Sequence, residues 1–352
     1  MSHKSKKKLT DIFIDKLKGM LSPGRNKHED KILGRNDKYI YSYETFHGYV
    51  KHSAAFAKWC LNNEKIISSL GHKPRTIEEC RPYVTEYLTE IRDGVSKTTG
   101  RKLSASTLKL KVSSLAKLFG CKGEAFGVEM PDRKRADITR SRNDVKSDKC
   151  FNTSLPRNEL IKTVVTCIGA RRSELEQVRG EDLIEKNGRY FIHFIHNTKG
   201  GKERYAEVIG SEEEIGTVVK TFRAAGEKKV FGKINSHSDI HSYRAAYAKR
   251  IYDKYSRPYE KYKHERIIVK NNRVMGKYIS RNGKADAELF DYLYKDKDKL
   301  KMVAGYRDVP TAYRGKIDKA GIVYDRLALF KTSECLGHNR EDVVAGHYLW
   351  VQ

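Results

Sequence analysis

The feature that most restricts the fold lies in mid-chain. From Pro131 to Asn152 the sequence has no apolar periodicity and is dense in Arg133, Lys134, Arg135, Arg140, Arg142 and Lys146. Such a stretch cannot enter a hydrophobic core, so it reads as an extended basic linker with a separate core on each side. The length of 352 residues agrees, because single cores stop growing at roughly 250–300 residues. Four segments follow: 1–35, a basic tail with a short amphipathic helix; 36–130, a helical domain; 131–152, the linker; and 153–352, a mixed domain.

The first half has the helical period throughout. Leu9, Ile12, Phe13, Leu17 and Met20 share one side of a short helix that stops at Ser22-Pro23-Gly24. That helix reads either as part of a solvated tail or as a piece that docks on a partner subunit or along a polyanion. Tyr43 to Cys60 form a second apolar stripe. Thr76 to Arg92 begin on the capping signal Thr76-Ile77-Glu78-Glu79, and Ser104 introduces a helix carrying Leu108, Val112, Leu115 and Leu118. A basic loop, Lys97 to Lys102, separates the last two. After the linker the pattern is mixed. Arg157–Cys167 and Arg172–Val178 read as helices, Tyr190–Ile195 and Arg204–Ile209 as a β-hairpin, and Ile240–Tyr252 as a helix. The fold class is mainly α with a small β-hairpin or sheet: an all-helical domain followed by an α+β domain.

Charge narrows the partner. Seventy-one Lys and Arg face 45 Asp and Glu, a formal net charge of +26, which calls for a polyanion. Nucleic acid comes first and an anionic membrane surface second. No run of apolar residues is long enough to span a bilayer, and Asp11, Asp15, Lys16 and Lys18 interrupt the one apolar cluster near the start, so no secretory signal is read there. The six cysteines, Cys60, Cys80, Cys121, Cys150, Cys167 and Cys335, contain no Cys-x-x-Cys pair. That argues against a zinc module or disulfide framework and for a reducing compartment.

Four short segments carry complementary chemistry. Gly169-Ala170-Arg171-Arg172-Ser173-Glu174-Leu175 places an arginine before a helix, with an acid three residues on. Thr198-Lys199-Gly200-Gly201-Lys202-Glu203-Arg204 is a glycine-turned hairpin tip that can carry a lysine into a groove. His241-Ser242-Tyr243-Arg244 puts His241 and Arg244 on one helix face, where they can meet one anion. Leu336-Gly337-His338 is followed by Tyr348. Each alone is a common pattern, and His193-Phe194-Ile195-His196, the nearest approach to a metal motif, sends its histidines to opposite faces of a strand.

Taken in order, Arg…Lys…His-x-x-Arg…Leu-Gly-His…Tyr resembles the tyrosine recombinase (phage integrase) family, from about Leu155 to Tyr348, and the helical region before it looks like that family's DNA core-binding domain. The resemblance implies Arg171 as the first catalytic arginine, Glu174 as its supporting acid, Lys199 as the hairpin lysine, and His241 and Arg244 as the His-x-x-Arg pair. His338 would take the His/Trp position and Tyr348 would be the nucleophile. It also implies two domains clamping opposite sides of a duplex, a homodimer on each recombination site, a homotetramer in the synapse, an accessory DNA-bending or directionality factor, and no cofactor.

Elementary chemistry suits those roles. A phenol is a weak nucleophile at neutral pH, and two nearby guanidinium groups favour its phenolate character. Arginine forks match phosphate oxygens and the added charge of a pentacoordinate transition state. His241 is placed to accept the phenolic proton or hold the phosphate, His338 to donate a hydrogen bond, and a hairpin lysine to protonate the departing 5′ oxygen. Lys199 precedes the Gly-Gly turn and is preferred over Lys202. A 3′-phosphotyrosine stores the energy of the broken bond, so rejoining needs neither ATP nor metal. Positioning contacts to DNA are expected from Lys97, Arg101, Lys102, Arg133, Lys134, Arg135, Arg140, Arg142 and Lys202.

Two features depart from the family pattern. From His241 to His338 the chain runs much longer than is customary. The excess, about 257–322, contains Glu265–Val269, a turn at Asn271-Asn272, Val274–Ile279, and a tyrosine- and lysine-rich region, Tyr292 to Tyr313. It reads as an extra DNA-contacting subdomain in preference to a tolerated surface loop. Second, only Leu349-Trp350-Val351-Gln352 follow Tyr348. Subunit coupling then falls to Trp350 or to the N-terminal helix around Phe13. The expectation is a cytoplasmic, nucleoid-associated recombinase of a bacterial mobile element or phage. A hairpin telomere resolvase or type IB topoisomerase shares the chemistry, and a non-catalytic DNA-binding regulator is the alternative from another class.

Overall fold

The computed structural model describes residues 7–96, 100–132, 155–196, 198, 203–235, 238–279, 294–296, 301–302, 304–315, 321–338 and 340–349. Lys97, Arg133, Lys134, Arg135, Arg140, Arg142, Lys199, Lys202 and Trp350 lie outside the described residues. The chain divides into two compact units, Met1–Asp137 and Ile138–Gln352. Its architecture is mainly α with small antiparallel sheets.

The first unit is built from α1 (Leu9–Gly19), α2 (Lys27–Ile32), α3 (Tyr43–Asn62), α4 (Glu64–Leu70), α5 (Ile77–Cys80), α6 (Val84–Asp93) and α7 (Ala105–Phe119). Short polar side chains start them: the Ser42 hydroxyl accepts the Thr45 N–H at 3.2 Å, Thr76 that of Glu79 at 3.2 Å, and Ser104 that of Thr107 at 3.2 Å. The segment read as one helix from Thr76 to Arg92 is interrupted by a 3₁₀ turn at Arg81–Tyr83. Pro82 is the cause, having no N–H to donate and a ring that crowds the preceding turn.

The N-terminal helix departs from the sequence expectation. Leu9, Phe13 and Leu17 are buried in the core of this unit, so the helix Leu9–Gly19 is part of that core and not of a detached tail. Phe13 meets Phe56 at a centroid separation of 6.3 Å, and Phe56 also contacts Trp59, Tyr87 and Phe119. The apolar face of α1 is used inside its own domain, with Phe13 fully buried there. Arg101 and Lys102 are exposed, beside the short bridge that pairs Lys102 with Val95.

The second unit runs through α8 (Leu155–Ile168), α9 (Arg172–Leu175), β1 (Leu183–Lys186), β2 (Arg189–Phe194), β3 (Arg204–Glu207), α10 (Glu212–Ala225) and α11 (Ile240–Tyr255). It continues with β4 (Glu265–Lys270), β5 (Arg273–Ile279), β6 (Tyr294–Asp296), β7 (Lys301–Met302), β8 (Tyr306–Pro310), β9 (Ala312–Arg314), β10 (Val323–Asp325), α12 (Arg326–Leu336) and α13 (Glu341–His347). The helix expected over Arg172–Val178 is a single turn. The hairpin gains a third strand, order β1-β2-β3, because Asn187 (φ 53°) and Gly188 (φ 67°) make the left-handed two-residue turn that joins β1 to β2. Ile192, Phe194 and Ala206 carry this sheet into a core shared with Val164, Leu175, Phe222, Tyr247 and Leu336.

The long stretch after α11 forms its own antiparallel sheet, order β5-β4-β8, turned at Asn271 (φ 48°) and Asn272 (φ 60°). It is fastened to the rest of the unit. Ile267 and Val269 pack with Phe330 of α12. Arg257, just past α11, donates from Nη2 to Glu265 at 2.8 Å and from Nε to Asp325 at 2.7 Å. Asp325 in turn caps α12 by accepting the Leu327 N–H at 3.0 Å.

Phe13→Ala is expected to destabilise the first unit by about 3–5 kcal/mol, the cost of an aromatic lost from a packed core. Truncation in a solvated tail would change it by about 0.5 kcal/mol or less. Denaturant unfolding followed by Trp59 fluorescence, with Trp350 replaced by Phe, reads the difference.

Candidate active site

The site begins where α8 ends. Gly169 takes a left-handed φ of +62°, and a Cβ there would stand 2.2 Å from the Tyr247 ring, so only glycine lets the chain turn this closely over α11. The next residues set the two arginines apart. Arg171 is the N-cap of α9, and the Glu174 carboxylate accepts its backbone N–H at 2.7 Å and its Nη1 at 2.5 Å. Arg172 turns the other way, donating to the Ile234 carbonyl at 3.2 Å and also to the Asn235 and Ser238 carbonyls. It braces the segment that leads into α11.

Two further arginines converge on the same carboxylate. Arg204, the first residue of β3, donates from Nη2 to Glu174 at 2.7 Å and to the Gly169 carbonyl at 3.3 Å, and from Nη1 to the Cys335 carbonyl. Its guanidinium carbon lies 3.9 Å from the centre of the Phe194 ring. Arg244, in the first turns of α11, is fully buried. It donates to the carbonyls of Gly169 and Leu336, and its Nη1 lies 4.0 Å from Glu174. Arg171 also reaches the Leu336 carbonyl, at 3.1 Å. The last carbonyls of α12, which have no partner within their helix and carry its negative dipole end, thus receive all three guanidinium groups.

Burial pushes the Glu174 carboxyl up, but Arg204, then Arg244 and Arg171, outweigh it and hold its pKa at about 2. Burial, with Arg204 and Arg171 as like-charged neighbours, lowers Arg244 to about 10, which still leaves it cationic at neutral pH. Three cations around one anion leave the cluster positive, and the two contacts of Arg171 use only part of a guanidinium donor set.

The opposite wall is the C-terminal segment. Gly337 ends α12 with a left-handed φ of +66° and His338 follows. After α13, whose first residue Glu341 pairs with Arg326 of α12 at 3.3 Å, the chain returns Tyr348 to the cluster. The Tyr348 hydroxyl lies 2.9 Å from His338 Nε2 and accepts from Arg244 Nε at 3.4 Å. His241 lies one helical turn before Arg244, at the surface. Crowding by its surroundings, together with the charges of Arg244, Arg172 and Arg171, lowers its pKa below the ordinary imidazole value, against a smaller opposing effect of Asp239.

Of the residues picked out from sequence, the structure gathers Arg171, Glu174, Arg244, His338 and Tyr348 through direct contacts and sets His241 beside them. Arg101 and Lys102 belong to the other unit. Sequence reading missed Arg204, yet strand alternation carried the signal. Its cross-strand partner is Phe194 and it shares a face with Ala206, both inward-facing, so a charged residue there needed a buried partner. His193 and His196 form no metal cluster, and none occurs among the described residues. His193 instead stacks on Tyr205 at 4.2 Å and meets Glu203 at 3.1 Å.

Among solved structures, the chain is similar to XerH site-specific recombinase bound to difH substrate in a pre-cleavage complex. The TM-score is 0.40, with 14% identity over 70% of this chain and 85% of that one. It is similar, too, to XerH bound to palindromic difH substrate in a post-cleavage complex, at a TM-score of 0.41 and 14% identity over 70% and 84% of the two chains. No family model matches, and no curated protein matches by sequence.

A carboxylate with a depressed pKa stabilises the fold above its ordinary titration range and loses that contribution as pH falls through the folded value. The Glu174 contribution is therefore complete at neutral pH and declines from about 4.5 towards about 2. Glu174→Gln should flatten the stability–pH curve across that window, as read by urea unfolding at successive pH values.

Proposed function

We propose that the protein is a tyrosine-type site-specific DNA recombinase that cleaves and rejoins strands through a 3′-phosphotyrosine. The observation that carries this reading is the placement of the Tyr348 hydroxyl against both His338 Nε2 and the buried Arg244, within a guanidinium cluster centred on Glu174. A hydroxyl held by a proton-relaying ring beside an excess of fixed positive charge suits attack on a phosphodiester.

In the proposed reaction the scissile phosphate sits between Arg171 and Arg244, whose N–H donors take up the charge that develops on its non-bridging oxygens. Tyr348 attacks phosphorus, forming the Tyr–O–P bond as the bond to the 5′ oxygen breaks. His241, whose pKa its surroundings lower and which so favours the neutral ring, or His338 receives the phenolic proton. Lys199 supplies the proton to the leaving oxygen, with Lys202 as the second candidate. Rejoining reverses these steps with a 5′ hydroxyl as nucleophile, and the phosphotyrosine conserves the bond energy, so no nucleotide or metal enters.

The wider setting belongs to the same proposal. Each recombination site takes a homodimer and the synapse a homotetramer, with an accessory DNA-bending or directionality factor, in a bacterial or phage cytoplasm on the nucleoid. The reaction integrates, excises or resolves a mobile element. Arg101 and Lys102, with the basic residues of 133–142, provide salt-dependent contacts to the DNA backbone.

A pool of nicked duplexes of random sequence, incubated with the protein and then denatured, tests the chemistry. A covalent protein–DNA adduct is expected, absent in Tyr348→Phe, with sequencing of the attached strand reporting the site. Undiminished adduct in Tyr348→Phe would remove Tyr348 as nucleophile, and no adduct from the wild type would sink the recombinase reading. Arg171→Ala should retain duplex binding in a mobility-shift assay while adduct formation slows by ~10²–10³-fold.

A further inference from the structure

We infer that Arg204 is a positioning residue: it serves as the internal counter-ion of Glu174, leaving the charge of Arg171 and Arg244 available to an incoming phosphate. The inference deepens the proposed recombinase reading and rests on it for the identity of the anion.

The contacts divide the labour. Arg204 is buried, and its guanidinium is consumed by protein groups: Glu174 at 2.7 Å, the carbonyls of Gly169 and Cys335, and the face of Phe194. Arg171 leaves part of its donor set unused, and Arg244, although itself buried and bonded to the Gly169 and Leu336 carbonyls, touches the Tyr348 hydroxyl. Glu174 is needed in place, because it caps α9 and anchors Arg171. A buried carboxylate with only Arg171 and Arg244 to neutralise it would draw both inward and offset half of their charge. A third guanidinium, supplied from β3 and shielded from solvent, offsets the carboxylate and leaves the charge of the other two undiminished, while the carboxylate keeps its structural role.

The surrounding chain is shaped to admit this side chain. A Cβ on Gly337 would stand 2.5 Å from Arg204 Cδ, so the glycine of the Leu-Gly-His segment makes room for the Arg204 stem as well as ending α12. Arg204 thereby links the end of α8, the start of α9 and the end of α12, the three pieces that hold Arg171, Glu174 and the carbonyls beneath Arg244.

A charge cycle tests the assignment. Arg204→Met keeps the stem and removes the charge; adding Glu174→Gln removes the stranded carboxylate and returns the cluster to its original net charge. Adduct formation on the nicked duplex pool should fall at least 30-fold in Arg204→Met, with duplex binding retained, and recover at least 5-fold in Arg204→Met/Glu174→Gln. Arg204→Lys, which keeps the charge without the fork, should be at least 10-fold faster than Arg204→Met. A filler of space alone would show neither the recovery nor the Lys-over-Met order, and their absence with an active wild type overturns the assignment. The same cycle in thermal stability needs no DNA: Glu174→Gln should raise the melting temperature of Arg204→Met while lowering that of the wild type. Should the wild type form no adduct, the recombinase reading fails separately, and failure of Glu174→Gln to raise the melting temperature of Arg204→Met then overturns the counter-ion role.

Discussion

The second unit is organised around one buried carboxylate. Glu174 lies beneath three guanidinium groups that approach from three parts of the chain, Arg171 beside α9, Arg204 on β3 and Arg244 on α11. Ionising a carboxyl in such a place is unfavourable without compensation, and burying three cations together would be worse. Each sign makes the other tolerable. The carbonyls at the end of α12 share the load, so helix termini, a sheet edge and a helix start are held in one electrostatic junction. Tyr348 meets that junction through Arg244 and His338 instead of through apolar packing alone.

The same junction makes α12 a structural beam. Its end supplies carbonyls to the arginines, while its start is capped by Asp325, itself gripped by Arg257. Arg257 also grips Glu265, the first residue of the extra sheet, and Phe330 on the same helix packs against that sheet. The sheet β5-β4-β8 is thus fastened to the helix whose last carbonyls accept from the arginines.

What could be read in the sequence follows the range of the interactions. Local signals worked: Thr76 and Ser104 cap the helices they were expected to cap, and Asn271-Asn272 turns the hairpin between β4 and β5. The mainly α fold class came from periodicity, and the order of short motifs was enough to pick out side chains that the structure brings within hydrogen-bond distance, such as His338 and Tyr348. Some local signals were passed over, Asn187-Gly188 among them, so β1 went unread. The apolar face of α1 was legible, but periodicity does not say what covers a face, and here it is α3 of the same domain. Strand alternation marked Arg204 as inward-facing but did not say what it meets there. Its partners Gly169, Glu174 and Cys335 are scattered along the chain, and only the closed fold shows that one side chain serves them all.

Gly337 cannot gain a side chain while Arg204 keeps its stem in place. The glycine is closed to side chains by its left-handed backbone and also by the arginine stem that occupies the space a Cβ would take. Drift at position 337 would require a shorter residue at position 204, which would give up the guanidinium that neutralises Glu174. Among descendants of this sequence a change at position 337 should come only with a change at position 204, and a lineage that replaced the pair would have to find another way to discharge the carboxylate before it could keep its arginines in place.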